Sequence, residues 1–293
     1  MGAEPPAGAL AGIGDEAAPD LDGQVAAHRE LGWSHIELRT IDGTQIADMP
    51  LDAVSAVAER LHSEGLQVVG VSSGIGAWGR TTSTPLEVDE RELEALAPRA
   101  AALGCSRLRV MSFLQEDVDD DGWRAESRRR LRELARRAEQ LGLTLLHENC
   151  AGYGGRGPHE SLELMADVDS PALRLLFDTG NGLSYGYDSL DFLRPTLEWT
   201  DHVHVKDAIR RGDDVEYVAP GEGEGQVADC LALLLSNGYR GGFTIEPHMH
   251  VAPHRGERVA GEGATASFVR CGRALERLME RQAEPARGGA AAG

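Results

Sequence analysis

Two hydrophobic periods alternate along the chain. Short apolar runs with strand character are followed by a Gly- or Pro-rich break and then by stretches whose apolar residues recur three and four positions apart. The first kind predicts strands at Leu10 to Gly14, Trp33 to Arg39, Leu66 to Ser72, Ser106 to Met111, Leu143 to Glu148, Leu173 to Asp178, His202 to Lys206 and Gly242 to Glu246. The second predicts helices at Leu21 to Leu31, Leu51 to Ser63, Glu90 to Leu103, Trp123 to Leu141, Glu160 to Ala166, Leu190 to Glu198, Val227 to Ser236 and Ala264 to Arg281. Gly32, Gly65 and Gly104 stand where left-handed caps would end three of these helices. Eight strand and helix pairs with no break in composition predict one α/β domain, a (β/α)8 barrel over residues 10–283, rather than a doubly wound sheet. The Ala/Pro/Gly-rich segments 1–9 and 284–293 read as disordered.

Composition narrows the function. With 293 residues and 41% apolar content the chain can bury a large core, and a net charge of -19 argues against a nucleic-acid partner. Cys105, Cys150, Cys230 and Cys271 are far apart and form no C-x-x-C pair, so they read as reduced thiols of a cytoplasmic enzyme. No basic leader is visible and no apolar run approaches the ~18 residues of a membrane span.

The chemistry gathers at four strand ends. His147-Glu148-Asn149, Phe177-Asp178-Thr179-Gly180-Asn181, His202-Val203-His204-Val205-Lys206-Asp207 and Ile245-Glu246-Pro247-His248 each place a metal-grade ligand after an apolar stretch. In a closed α/β barrel such ends meet on one face. Glu148, Asp178, His204 and Glu246 would there form a mixed nitrogen and oxygen site for a hard or borderline divalent cation. Alternatives stay open for single positions. Asp178 can instead cap the following helix, and a histidine in a strand is more often packed than ligating. His202 and His204 point to the same face. His204 lies nearer the barrel mouth and is the expected ligand, with His202 supporting it. His248, His250 and His254 crowd the last loop, as substrate contacts or as solvated residues. The Gly152 to Gly157 and Gly221 to Gly225 segments flank the mouth as lids or as plain loops, and neither has the context of a nucleotide-binding motif.

These runs, with Gly14-Asp15-Glu16, His35-Ile36-Glu37-Leu38-Arg39 and Gly221-Glu222-Gly223-Glu224-Gly225, resemble the sugar phosphate isomerase/epimerase proteins of the xylose-isomerase-like TIM barrel superfamily. That group includes ketose 3-epimerases, hydroxypyruvate isomerase and inosose dehydratase, and the resemblance covers nearly the whole chain. It implies that Glu148, Asp178, His204 and Glu246 bind one Mn²⁺, Mg²⁺ or Co²⁺ ion and that Glu148 and Glu246 are the acid/base pair. The substrate it implies is a sugar, keto-sugar or cyclitol. The chemistry would be isomerisation or epimerisation through an enediolate, with dehydration or β-elimination by a lyase as the alternative.

Ketose epimerases carry a substrate-contacting Arg six residues after the ligand His, where this chain has Arg210. Arg39, Lys206 and His248 are further expected substrate anchors. Three residues after the ligand Asp the ketose epimerases have a His, whereas this chain has Asn181, which can hydrogen bond but not titrate. Endonuclease relatives need more His and Asp ligands and a surface that tolerates DNA, and this acidic chain has about half that set. Neither a homo-oligomer nor a small partner subunit leaves a mark in the sequence.

Overall fold

The computed structural model describes residues 8–212, 214–252, 257–258 and 263–283. The expected disordered segments fall on 1–7 and 284–293, outside the described residues, as does His254. Gly8 and Ala9 are described, and Ala9 O accepts a hydrogen bond from Phe243 N at 2.8 Å.

Eight parallel strands form the barrel: β1 Leu10–Gly12, β2 His35–Leu38, β3 Gln67–Ser72, β4 Arg107–Ser112, β5 Thr144–Gly152, β6 Leu173–Asp178, β7 Thr200–Val205 and β8 Phe243–Ile245. Their hydrogen-bonded order is β1-β8-β7-β6-β5-β4-β3-β2, and a single parallel bridge from Ile13 to Glu37 joins the two ends. Eight main helices alternate with the strands: α1 Leu21–Leu31, α2 Leu51–Ser63, α3 Leu86–Ala102, α4 Asp120–Leu141, α5 Pro158–Val168, α6 Ser189–Thr196, α7 Val227–Ser236 and α8 Ala264–Ala283. Asp20, Asp119 and Asp188 cap α1, α4 and α6 by accepting backbone N–H bonds. Gly32 and Gly142 end α1 and α4 in the left-handed conformation.

Strand alternation divides the barrel into two chemically different layers. Along β7, Val203 and Val205 face the helices and pack with Phe177, Phe243, Ile245, Leu231 and Phe268, while His202 and His204 face the interior. Leu108 and Val110 of β4 and Leu145 of β5 do the same on the other side, with Leu131, Leu134 and Leu164 from the helices. The apolar core therefore lies between sheet and helices. The upper interior is left to charged groups.

Elements beyond the alternation crowd the mouth. A hairpin pairs Asp207–Arg211 with Asp214–Val218 directly after β7, another pairs Thr40–Ile41 with Thr44–Gln45, and a short helix spans Asn181–Tyr185.

Candidate active site

Glu246, His204, Asp178 and Glu148 come from four neighbouring strands, β8, β7, β6 and β5, and form an arc along one side of the mouth. Asp178, His204 and Thr244 are in register, and Glu148 pairs with Leu176 one turn of the pleat below Asp178. All four are buried, and one ligand atom from each lies within 4.8 Å of the others.

Hydrogen bonds and ion pairs fix each side chain. Asp178 Oδ1 accepts from the N–H groups of Gly180 and Asn181 at 2.8 and 2.9 Å, which ties it to the start of the Asn181–Tyr185 helix and leaves Oδ2 toward the arc. Its Oδ2 has no hydrogen-bond partner and lies 3.2 Å from Lys206 Nζ. His204 Nε2 lies 3.1 and 3.0 Å from the two carboxylate oxygens of Glu37. An ionised carboxylate only accepts, so Nε2 carries a ring proton, while Nδ1, which has no hydrogen-bond partner, faces Glu246 Oε2 at 3.7 Å. Burial works against the charged ring, but Glu37 and Glu246 outweigh it and hold the His204 pKa well above its ordinary value, so a cation taken up at Nδ1 would displace a proton there. Glu37 is itself held by Ser72 Oγ at 2.8 Å and His202 Nε2 at 3.2 Å. Asn181 Nδ2 donates to Glu148 Oε1 at 2.9 Å. Glu246 receives Arg39 Nη1 on Oε1 at 3.1 Å and Lys206 Nζ on Oε2 at 3.0 Å, with His248 Nε2 at 3.2 Å from Oε1.

Electrostatics reflect this packing. Burial works against the Glu246 carboxylate, but Lys206, His248 and His204 outweigh it and hold its pKa well below the ordinary range. For Asp178, burial wins over the attraction of Lys206 and, with the negative charges of Glu246 and Glu148, pushes the carboxyl up to about 6. The protein's own cations thus satisfy Glu246 but not the whole arc. Three carboxylates and one imidazole, with one ligand atom from each within 4.8 Å of the others, make the kind of donor set that a divalent oxygen- and nitrogen-seeking cation takes, and these residues fit one.

A family model described as xylose isomerase-like TIM barrel matches residues 25–268. The chain belongs to this family. Among relatives of this xylose isomerase-like barrel, a 2-epi-5-epi-valiolone 7-phosphate 2-epimerase from Actinoplanes sp. is 33% identical over 173 residues, 55% of this chain and 61% of that protein. The chain thus spans less than two thirds of that relative. An inosose dehydratase from Clostridium botulinum is 23% identical over 252 residues, 74% of this chain and 81% of that protein. The crystal structure of a D-allulose 3-epimerase from Methylomonas sp. superposes with a TM-score of 0.71 at 20% identity, covering 95% of this chain and 99% of that one.

In this xylose isomerase-like barrel the structure gathers Asn181, Lys206, Arg39 and His248 around the arc. Arg210 is not among them. It lies exposed on the Asp207–Arg211 strand opposite Val215, because the chain leaves the barrel as a hairpin straight after β7. Tyr217, on the returning strand, reaches inward instead, with its ring 5.2 Å from that of His248 and 5.9 Å from Lys206 Nζ. His202 bonds Glu37 and Thr244 Oγ1, and His250 Nε2 pairs with Ser267 Oγ at 2.9 Å. The Gly221 to Gly225 segment is tied down: the Asp207 carboxylate accepts from the N–H groups of Gly221, Gly223 and Gly225 at 2.8 to 3.0 Å. A Cβ on Gly223 would stand 2.3 Å from Asp207 Oδ1, which is why the segment needs glycine there.

Several residues of the site carry no signal in the four strand-end runs. Glu37, Asp15 and Glu16 lie on the first two barrel units, far away in sequence, and Arg39 joins Asp15, Glu16 and Glu246 in one buried ion network. Arg109 lies 3.7 Å from Glu148 Oε2. The one sequence clue to it is the Arg107-x-Arg109 alternation within the otherwise apolar β4.

Proposed function

We propose that the chain is a divalent-metal-dependent isomerase or epimerase acting on a sugar, keto-sugar or cyclitol, with Glu148 and Glu246 as its acid/base pair. The observation that carries this reading is the arc itself. Its two outer members are the glutamates, so a small molecule held in front of Asp178 and His204 has a carboxylate on either side. A divalent cation held by Glu148, Asp178, His204 and Glu246, with Mn²⁺ the proposed ion, would supply the Lewis acidity that lowers the energy of an enediolate by several kcal/mol.

The chain's own groups do the rest. Lys206, Arg39 and His248 keep the Glu246 carboxylate ionised and fixed, ready to accept a proton at the carbon beside a carbonyl. Asn181 orients Glu148 through Oε1, which prepares the second carboxyl to exchange a proton on the other face. The same four residues, Asn181, Lys206, Arg39 and His248, are the proposed substrate contacts. The exposed Arg210 is left out of that set.

A lyase is the second reading, favoured by the alignment to the inosose dehydratase over 74% of this chain. The two reactions share the first proton removal and diverge at the next step. Incubating the metal-loaded protein with ketoses, inososes and 3-keto sugars and analysing products by NMR and mass spectrometry separates them. A stereoisomer of unchanged mass supports the isomerase, and an unsaturated product that has lost water or an aglycone supports the lyase. Recovery of every compound unchanged sinks both.

A further inference from the structure

Arg107 and Arg109 share the inward face of β4 and have opposite surroundings. Arg107 Nε lies 3.1 Å from Asp201 Oδ2 near the N-terminal end of the barrel. Arg109 points the other way, toward the arc. It is only 6% exposed, and its Nε and Nη1 are buried without a hydrogen-bond partner. Among the described residues the carboxylate that faces it is Glu148, with Oε2 3.7 Å from Nε, too long for a hydrogen bond.

The contrast with the other buried cations around the arc is sharp. Arg39 bonds Asp15, Glu16 and Glu246, and Lys206 sits between Asp178 and Glu246. A guanidinium keeps its charge in a protein and carries five N–H donors, so burying one without acceptors costs free energy that folding does not recover. Such a group beside a proposed acid/base residue is a donor set waiting for a ligand's oxygen atoms.

We infer that Arg109 is a substrate-contacting residue whose free N–H groups bind the oxygens of an α-hydroxy ketone beside Glu148 and hold the negative charge that forms on them. This rests on the isomerase or lyase reading of the same arc. When the C–H bond next to the carbonyl breaks, its electron pair becomes the C=C bond, the carbonyl π pair moves onto oxygen, and the proton passes to the Glu148 carboxylate. Glu148 then ceases to be the counter-charge of Arg109 at the moment the substrate oxygen becomes one. The guanidinium exchanges one partner for the other without moving far, an interaction strengthened by the reaction itself. The planar fork suits two adjacent oxygens, which a lysine ammonium matches less well.

The test uses glycolate, whose carboxylate and neighbouring hydroxyl carry the same O–C–C–O pattern with a negative charge, titrated calorimetrically into the full-length protein loaded with Mn²⁺. Arg109→Met is expected to weaken glycolate binding roughly tenfold or more, with Arg109→Lys in between, while Mn²⁺ affinity stays within about threefold of wild type. Glycolate affinity equal to wild type in both variants would overturn the assignment, as would a wild type that does not bind glycolate. Parallel loss of Mn²⁺ binding in both variants would also overturn it, because Arg109 would then merely hold Glu148. If Arg109→Met does not fold, Arg109→Lys alone decides. The measurement needs no turnover: glycolate bound through Arg109 by a protein that exchanges no proton of any keto sugar would leave this assignment standing and remove the isomerase reading.

Discussion

His204 Nε2 and Glu37 Oε2 lie 3.0 Å apart across the barrel interior, and this contact decides which nitrogen of the imidazole is free to bind. Burial disfavours the Glu37 charge, but His204 and His202 outweigh it and keep the carboxyl ionised well below its ordinary pKa. Replacing Glu37 by Gln removes that charge and allows the ring to put its proton on either nitrogen. We expect Mn²⁺ affinity to fall about 10- to 100-fold in Glu37→Gln, read by calorimetric titration. Unchanged affinity would show that His204 does not need Glu37 to present Nδ1.

Lys206 is the protein's own counter-charge to Asp178 and Glu246, at 3.2 and 3.0 Å. Lys206→Met leaves two buried carboxylates without it. We expect the metal-free variant to lose about 3–5 kcal/mol of stability, and saturating Mn²⁺ to raise its melting temperature more than that of wild type. Equal metal-induced shifts in the two proteins would contradict the idea that ammonium and cation neutralise the same charges.

Asp207 closes the Gly221 to Gly225 segment by accepting three of its N–H groups and that of Ala208. Asp207→Ala leaves these donors without an acceptor, and we expect a loss of roughly 3 kcal/mol or more in urea denaturation at neutral pH. A loss below about 1 kcal/mol would mean that the segment is held by other contacts.

His147 faces away from the arc, beside Gly154, fully buried with neither ring nitrogen hydrogen bonded. Burial lowers its pKa from 6.5 to about 4. The unfolded chain therefore takes up this proton first as pH falls. Its contribution to stability is whole above pH 6.5, declines below that value and levels off under about pH 4. Over that window it amounts to about 3 kcal/mol, at about 1.4 kcal/mol per pH unit. We expect His147→Leu to lose less stability than wild type between pH 7 and pH 4.5 in urea titrations. Parallel pH profiles would assign the acid sensitivity to other groups.

What the sequence disclosed and what it hid have a common physical origin. The eight strands and eight helices were legible because β-branched runs and helical spacing are local patterns, and Leu51–Ser63 and Val227–Ser236 fall where periodicity puts them. Glu148, Asp178, His204 and Glu246 were legible because a charge at the end of an apolar strand needs a reason. Glu37 stood in the sequence only as part of the His35 to Arg39 run, and its pairing was hidden because its partners His202 and His204 lie more than 160 positions away, a pairing that only barrel closure creates. Arg210 is the position where spacing along the sequence and the structure part most. Six residues past His204 the chain has folded outward into a hairpin, which leaves Arg210 exposed and brings Tyr217 back beside His248.

The proposed chemistry has Glu148 and Glu246 move a proton at the carbon beside a carbonyl. It is tested most directly by proton NMR of ketoses, inososes and 3-keto sugars incubated in D₂O with the metal-loaded protein. We expect deuterium at that one carbon of at least one compound, slowed about 10²- to 10⁴-fold in Glu148→Gln or Glu246→Gln variants that remain folded. Exchange at the wild-type rate in both variants, or none with any compound, would contradict it.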